Sequence, residues 1–512
     1  MPNPGPRWAS VALLALAAGG LILRLHPLLH AGGPLAWRVD YDEGVYFSSS
    51  ALLFNGVFPY RDFVYVHPPG LLYFLGITSA WTRWPFSIDP ATAFAAWRVV
   101  ATFVGAINIA LIGRIVMRVG GPAGALVAAA LYATYPDAVT VERGAFLEPV
   151  LNLACLAMAL VWLTPRDKDS RTAVLAGLLG GAACAVKVLG GIWLFAAIAS
   201  APRHRMRSMV PTFVAASAAS WLLLVAPLAL LSPRRFLEQA FLLHVWRPPD
   251  GVILPAERLS EIVYNGHVLA SILALAGLGW MAVSAARSGV GSLGREQRFF
   301  AVAALLTVAS FFASSTYWKQ YNSYLAASEC VLAGICAGAI VRRFEAKVPK
   351  PAFPIVVAIL TLLAVRPSVR QVLAVSYPGD SELLAVGRTI RERVPATASV
   401  FTFDPRFSLA GGRLPPHSDR APVIADPYGS MLLAAVRGGA RFRNSEEAWQ
   451  SLASQSDVYA RLEASSFAVV GSRGDWQLSA EMRAWFEAHF VCVTPEARES
   501  CLWERTGPAH MR

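Results

Sequence analysis

Three carboxylates crowd one short stretch of the sequence RVDYDEGVYFSSSALLFNGVFPYRDFVYVHPPG: Asp40, Asp42 and Glu43. A carboxylate can take the proton from an attacking hydroxyl, or supply oxygen ligands to a divalent cation. The same spacing also suits a helix start with Asp42 as N-cap, because acidic side chains satisfy unpaired N–H groups and favour the positive end of the helix dipole. The residue types alone leave all three readings open. Tyr60, Arg61 and Asp62 follow, and then His67-Pro68-Pro69-Gly70 opens an apolar segment. Proline is tolerated in a first helical turn because its missing N–H would be unpaired anyway. Further along stand Arg143 and Glu148 in ERGAFLEPVLN, Lys187 in AVKVLGG, and Lys319 and Tyr321 in WKQYNSYLAAS. His244, Trp246 and Arg247 share the loop LLHVWRPPDG.

The elements that must position these groups are set by hydrophobicity. The chain has 512 residues, of which 55% are hydrophobic and only 15% charged. The apolar residues fall in long runs: Leu13–Leu23, Val99–Ile112, Ala123–Tyr135, Phe146–Leu163, Ala173–Val186, Gly191–Ala201, Met209–Leu231, Val268–Ala286, Phe299–Ala313, Leu325–Val341 and Ala352–Val365. With their flanks they predict a mainly α, polytopic membrane protein of about eleven spans, each needing about 20 residues to cross the hydrocarbon. The N-terminal run lacks a small-residue cleavage site before a soluble domain, so it reads as a retained first helix. Between the first two spans lies a long outer loop, about residues 25–93. Within it Tyr46–Phe54 reads as a short amphipathic helix on the membrane surface, ended by Asn55-Gly56.

Orientation follows from basic residues, which favour the cytoplasmic side. With the N-terminus cytoplasmic, successive inner loops carry Arg114 and Arg118; Arg166, Lys168 and Arg171; Arg203, Arg205 and Arg207; Arg287, Arg295 and Arg298; and Arg342, Arg343, Lys347 and Lys350. The outer loops hold most of the acids. The net charge of +12 is therefore a topology signal and not a nucleic-acid footprint. Residues 1–367 form the membrane module, and 368–512 an extracytoplasmic α/β domain. In that tail, Ser381–Arg393, Ser445–Leu452 and Ser479–His489 read as helices, and Ser399–Thr402, Val423–Ala425 and Phe467–Val470 as strands. Cys155, Cys184, Cys330 and Cys336 lie in apolar runs as buried thiols. Cys492 and Cys501 flank a turn in the exported tail and can form a hairpin disulfide.

YDEG, followed by PYRDFVYVHPPGLLYF, resembles the first outer loop of GT-C fold glycosyltransferases. The resemblance is to the family-39-like branch that includes protein O-mannosyltransferases and aminoarabinose transferases. In those enzymes an Asp-Glu pair follows the first span, and its Asp is the proposed base. The resemblance thus implies catalytic roles for Asp42 and Glu43, with Asp40 and Glu148 orienting the acceptor or a metal. Lys187, Arg143, Lys319 and Tyr321 are implied in binding the donor phosphate. His67, Arg61 and Asp62 would shape the first loop, and His244, Trp246 and Arg247 are weaker candidates. The chain departs from the family where Pro68 replaces a frequent lysine, where Val188 and Leu189 separate Lys187 from Gly190, and where Gln320 replaces a frequent histidine.

What the resemblance implies is inverting transfer of a sugar from a polyprenyl-phosphate donor to a glycan, lipid or protein hydroxyl at the outer face of the bilayer. A divalent cation, magnesium or manganese, is allowed but not required, with Asp42 and Glu148 as its ligands. No Gly-rich Lys-Ser/Thr phosphate loop is present, which disfavours an ATP-driven pump. The tail lacks the Trp-Trp-Asp motif of oligosaccharyltransferases. The richness in Ala, Arg and Gly suits a high-GC bacterium, where mannosyl or arabinosyl donors on decaprenyl phosphate are in use. A polyprenyl-lipid flippase or transporter and a non-catalytic scaffold are the alternatives. A transporter would carry polar groups near the midplane and an internal repeat, whereas the polar residues here gather at one face.

Overall fold

The computed structural model describes every residue except 1–5, 31, 165–168, 203, 205, 346–352, 375–380, 438, 496–500 and 508–512. Arg166, Lys168, Arg203, Arg205, Lys347 and Lys350 of the basic loops therefore lie outside the described residues. The chain is mainly helical. Its first ten helices are α1 Arg7–His30, α2 Tyr41–Phe54, α3 Gly70–Ser79, α4 Pro90–Val119, α5 Gly121–Ala133, α6 Pro136–Val141, α7 Leu147–Leu163, α8 Asp169–Val186, α9 Gly190–Ala199 and α10 Met206–Ala229. Later come Val268–Ser288, Arg295–Ala313, Tyr321–Glu345 and Phe353–Ala374.

Among the described residues, six helices are long and apolar enough to cross a membrane: α1, α4, α10, Val268–Ser288, Arg295–Ala313 and the stretch Tyr321–Phe344. α5, α7, α9 and the stretch Ser170–Val186 of α8 are shorter and apolar. The helices outrun the apolar runs that announce them. Val99–Ile112 is the middle of the 30-residue α4, because the flanking Ala and Arg residues are strong helix formers and Pro90 can begin a helix. Leu14, Ile22, Leu222 and Leu223 on α1 and α10 are exposed, as expected where lipid, not water, is the solvent.

Contacts divide the chain into two compact units, Met1–His26 with Val100–Leu224 and Val252–Ser376, and Pro27–Val99 with Val225–Gly251 and Tyr377–Arg512. The first unit holds most of the long helices. Its tightest packing pairs α5 with Tyr321–Glu345. A Cβ on Gly338 would stand 2.0 Å from the Gly120 carbonyl oxygen, and one on Gly124 would stand 2.4 Å from that of Gly334. Small residues let helix backbones approach closely where lipid offers no hydrophobic drive to associate.

The second unit joins the first loop to the tail. The tail contains strands β1 Val400–Thr402, β2 Phe467–Val469, β3 Phe490–Cys492 and β4 Leu502–Arg505 in the order β1-β2-β4-β3. β1 and β2 run parallel, and the other pairings are antiparallel. Helices cover the sheet around a core that includes Phe401, Phe403, Trp449, Phe486 and Phe490. Cys492 and Cys501 form the expected disulfide at the β3–β4 hairpin. Ser381–Arg393 is a helix as read.

Val423–Ala425 is not a strand. Pro422 removes a ladder donor beside it, and Asp426 immediately caps the helix Pro427–Val436. The expected helix Ser445–Leu452 splits into Ser445–Trp449 and Leu452–Glu463, because Ser451 caps the second of these.

Candidate active site

The acidic motif opens α2, but Asp40 rather than Asp42 is its N-cap. The Asp40 carboxylate accepts the Asp42 N–H at 3.1 Å, and Glu43 Oε1 accepts the Asp40 N–H at 2.9 Å. This is a reciprocal capping box. Glu43 is 1% exposed and pairs with Arg98 Nε at 3.1 Å. Arg98, on α4, also donates to the carbonyls of Trp37 (2.9 Å) and Arg38 (2.8 Å). Glu43 is therefore held in a buried ion pair, while Asp42 is half-buried in the first helical turn.

α2 is not a helix with one open apolar face. It begins at Tyr41, five residues before the expected start, and Glu43 through Leu52 are all buried. Its serines show why: Ser50 Oγ lies 2.6 Å from Ser79 Oγ and donates to the Leu72 carbonyl at 2.7 Å. Small residues let α2 sink into its neighbours, and the Ser50 hydroxyl is satisfied there.

The rest of the first loop forms an aromatic nest. His67 Nε2 lies 3.2 Å from the Tyr46 hydroxyl, and its ring stacks on His244 at 5.4 Å. His244 Nε2 donates to the Val66 carbonyl at 2.7 Å. Tyr60, with φ +66°, donates to the His67 carbonyl at 2.6 Å. Arg61 grips Asp62 with two 2.8 Å bonds, and the Phe58 N–H donates to the same carboxylate at 2.8 Å. The Arg61 hydrogen bond, chiefly, holds the Asp62 carboxyl below its ordinary value. Arg61 and Asp62 thus close the 58–63 turn.

The tail touches this same region. Tyr41 donates to Asp426 Oδ1 at 2.9 Å and accepts the Tyr428 N–H at 3.0 Å. Burial raises both the Tyr41 hydroxyl and the Asp426 carboxyl above their ordinary values. Arg247 donates to the Tyr428 hydroxyl at 3.2 Å, and Tyr428 in turn donates to Asp250. Trp246 is partly exposed.

In the first unit, three of the residues read from the sequence meet. Lys187, in the break between α8 and α9, donates to Glu148 Oε1 at 2.7 Å, and its Nζ sits 4.2 Å above the centre of the Tyr321 ring. Glu148 is 2% exposed and lies in the first turn of α7. Arg143 is buried and donates to the Leu23 carbonyl at 2.8 Å. Lys319 stands apart from that pair, 61% exposed and 3.4 Å from Glu261. Sequence reading missed the fully buried pair of Arg24 and Glu142 at 2.6 Å, which also takes bonds from Asn108 and Tyr132 at 2.8 Å each. An arginine directly after the first apolar run, inside α1, was its signal.

Among the described residues, no group of three or more His, Cys, Asp or Glu is arranged to hold a metal. Glu148, one of the two expected ligands, is already neutralised by an ammonium group. The donor set does not fit a bound magnesium or manganese ion, and no step below passes through one.

No protein-family model matches the sequence, and a search of curated proteins finds no match. Solved structures do match. ArnT from Cupriavidus metallidurans, bound to undecaprenyl phosphate, aligns over 96% of this chain and 98% of its own at TM-score 0.61 and 13% identity. The Archaeoglobus fulgidus oligosaccharyltransferase tethered with an acceptor peptide aligns over 98% of this chain and 74% of its own, at TM-score 0.58 and 12% identity. The archaeal oligosaccharyltransferase AglB from Archaeoglobus fulgidus, in complex with an inhibitory peptide and a dolichol-phosphate, aligns over 90% of this chain and 69% of its own at TM-score 0.55 and 14% identity. The chain has the GT-C fold. The GT-C likeness spans nearly the whole chain, tail included, and the six long apolar helices among the described residues fit a multi-pass membrane protein.

Proposed function

We propose that this chain is a membrane glycosyltransferase that moves a sugar from a polyprenyl-phosphate donor to an acceptor hydroxyl, with Asp42 as general base. The observation that carries the reading is the half-buried Asp42 carboxylate. It sits in the first turn of a buried helix whose capping duties are discharged by Asp40 and Glu43 instead. Asp42 is thus not the residue that caps its helix, and a carboxylate at this place can take a proton. Two further facts support the reading. The chain shares its fold with ArnT, solved with undecaprenyl phosphate, and with AglB, solved with a dolichol-phosphate.

In this mechanism Asp42 accepts the proton of the acceptor hydroxyl as its oxygen attacks the anomeric carbon. The bond from that carbon to the phosphate oxygen breaks on the opposite face, so the configuration inverts. The departing phosphate is a weak base that needs cations rather than an acid. The family resemblance implies Lys187, Arg143, Lys319 and Tyr321 for that stabilisation, and Lys187 is ion-paired with Glu148. Glu43 keeps the helix start in place through Arg98. The active face is extracytoplasmic, the N-terminus cytoplasmic, and residues 368–512 an outer domain. The acceptor is a glycan, lipid or protein hydroxyl.

The test is incubation of purified protein with a panel of polyprenyl-phosphate sugars, beside Asp42→Asn. Sugar release or transfer by wild type, lost in the variant, is expected. Equal activity of the two proteins on an authentic donor refutes the base, and no turnover on any donor of the panel counts against the class.

A further inference from the structure

Helix α2 is complete without the tail. Its capping box closes within the first loop, and the Glu43–Arg98 pair braces it from α4. Yet the tail grips its first turn at three points. Arg406 donates to the Val39 carbonyl, just before the N-cap. The Tyr41 ring lies 3.9 Å beneath the Arg473 guanidinium, and its hydroxyl is held by Asp426 at 2.9 Å. Gly44 lies directly against tail backbone, where an added Cβ would stand 2.8 Å from the Arg406 nitrogen and 3.2 Å from the Pro405 carbonyl carbon. Only glycine fits there.

One carboxylate organises the two arginines. Asp404 is bound by Arg406 at 2.6 Å and lies 3.6 Å from Arg473. Asp404 also caps the helix Pro405–Ala410, whose start meets Gly44. Positions 39, 41 and 44 are thus all fixed by the tail, and Asp42 lies between them.

We propose that the tail is a clamp, in which Arg406, Arg473 and Asp426 are positioning residues that set where the first turn of α2, and so the Asp42 carboxylate, stands. The proposal rests on the reading of Asp42 as the base. Contacts unnecessary for forming the helix are contacts that place it. A guanidinium over an aromatic face is a cation–π contact that a lysine ammonium can also make, and a displacement of about 1 Å at a reacting group costs about 10²-fold in rate.

The experiment separates the clamp from the base. In the full-length protein a thiol is introduced by Asp42→Cys, and its rate of labelling by N-ethylmaleimide is compared alone and combined with Arg473→Gln, Arg473→Lys, Tyr41→Phe or Gly44→Ala. Asp457→Cys, on an exposed tail site, reports whether the tail itself stays folded. The clamp predicts labelling at position 42 several-fold faster with Arg473→Gln and Gly44→Ala and near the parent rate with Arg473→Lys, while position 457 is unchanged. With Asp42 intact, on decaprenyl-phosphate mannose or arabinose, Arg473→Gln should lower kcat about tenfold or more with donor KM unchanged, and Arg473→Lys should restore most of it. Unchanged labelling at 42 in both Gly44→Ala and Arg473→Gln overturns the clamp, as does, where Asp42→Asn is inactive, a kcat that Arg473→Gln leaves intact. Altered labelling beside a fully active Asp42→Asn upholds the clamp and overturns the base.

Discussion

Two polar regions of the molecule are built on opposite plans. Around α2, many modest contacts converge: a capping box, the Arg98–Glu43 pair, the tyrosine–histidine nest, and the tail residues Arg406, Arg473 and Asp426. Around Lys187 the arrangement centres on one short ion pair with Glu148 and one ring face. A redundant network tolerates the loss of one member without unfolding, so damage there should appear in rate. A buried pair carries its stability in two charges. Removing one leaves the other uncompensated at low dielectric, so damage there should appear in stability as well.

The largest effect expected is on rate. Asp42→Asn should lower transfer by at least about 10²-fold, the lower end of what general-base help supplies. The melting temperature should stay within error, because Asp40 and Glu43 do the capping. Asp40→Asn is the contrasting variant. It keeps an N-cap, because Asn and Asp cap about equally well, and should affect turnover far less. An unfolded Asp42→Asn, or a dead Asp40→Asn beside an active Asp42→Asn, would reverse the roles given to these two acids.

Lys187→Met attacks the second plan. Leaving Glu148 buried and unpaired should cost about 3–5 kcal/mol, read as a lowered thermal midpoint in nanodiscs. The double variant Lys187→Met with Glu148→Gln should recover most of that stability, because neither residue is then charged, and should stay impaired in turnover. Full recovery of both stability and activity would make the pair purely structural.

The difference between the two plans also explains what could be read from the residues. The start of α2 was legible to within a few positions because the capping signal is local. Asp40 and Asp42 are nevertheless interchangeable in sequence, and only the reach of the Asp40 carboxylate to the Asp42 N–H selects the cap. Arg98 was invisible because its partner is 55 positions away and α4 reads as an uninterrupted apolar span. Gly44 reads as an unremarkable helical glycine until Pro405 and Arg406 are found against it. Lys187, Glu148 and Tyr321 could be named one by one, yet their meeting depends on how α7, α8 and Tyr321–Glu345 pack, which no local pattern encodes. The hydrophobic runs gave the membrane class directly, since spanning the hydrocarbon is a matter of length and composition.

The tail disulfide offers a middle-sized test within the redundant region. Replacing Cys492 and Cys501 by serine opens a short loop, and the chain-entropy estimate for closing one of that size is about 2–3 kcal/mol. The tail should lose that much stability while the Lys187–Glu148 unit keeps its own thermal midpoint. If the clamp is real, turnover should fall only at temperatures where the tail has begun to melt. A fall in turnover with a fully folded tail would tie the hairpin to the chemistry itself.

The smallest effect belongs to Asp62, which sits in the same loop as Asp42 with an equally suggestive neighbour. Its carboxylate is 21% exposed and its partner Arg61 is 45% exposed, so water screens the pair, and such surface pairs contribute about 0.2–1 kcal/mol. Because the folded carboxyl titrates below its unfolded value of about 3.9, its contribution is present above that pH and is lost as the pH falls through the lower folded value. Asp62→Asn should therefore be less stable than wild type by under about 1 kcal/mol at pH 7. The gap should close as the pH falls through the lowered folded value and narrow in high salt. Turnover should stay within about twofold of wild type, far from the loss expected when a general base is removed. A loss in Asp62→Asn matching that of Asp42→Asn, with the fold intact, would mean that the loop carries its proton acceptor one turn away from α2. The contrast between a redundant scaffold and a single essential carboxylate would then have to be redrawn around residues 58–63.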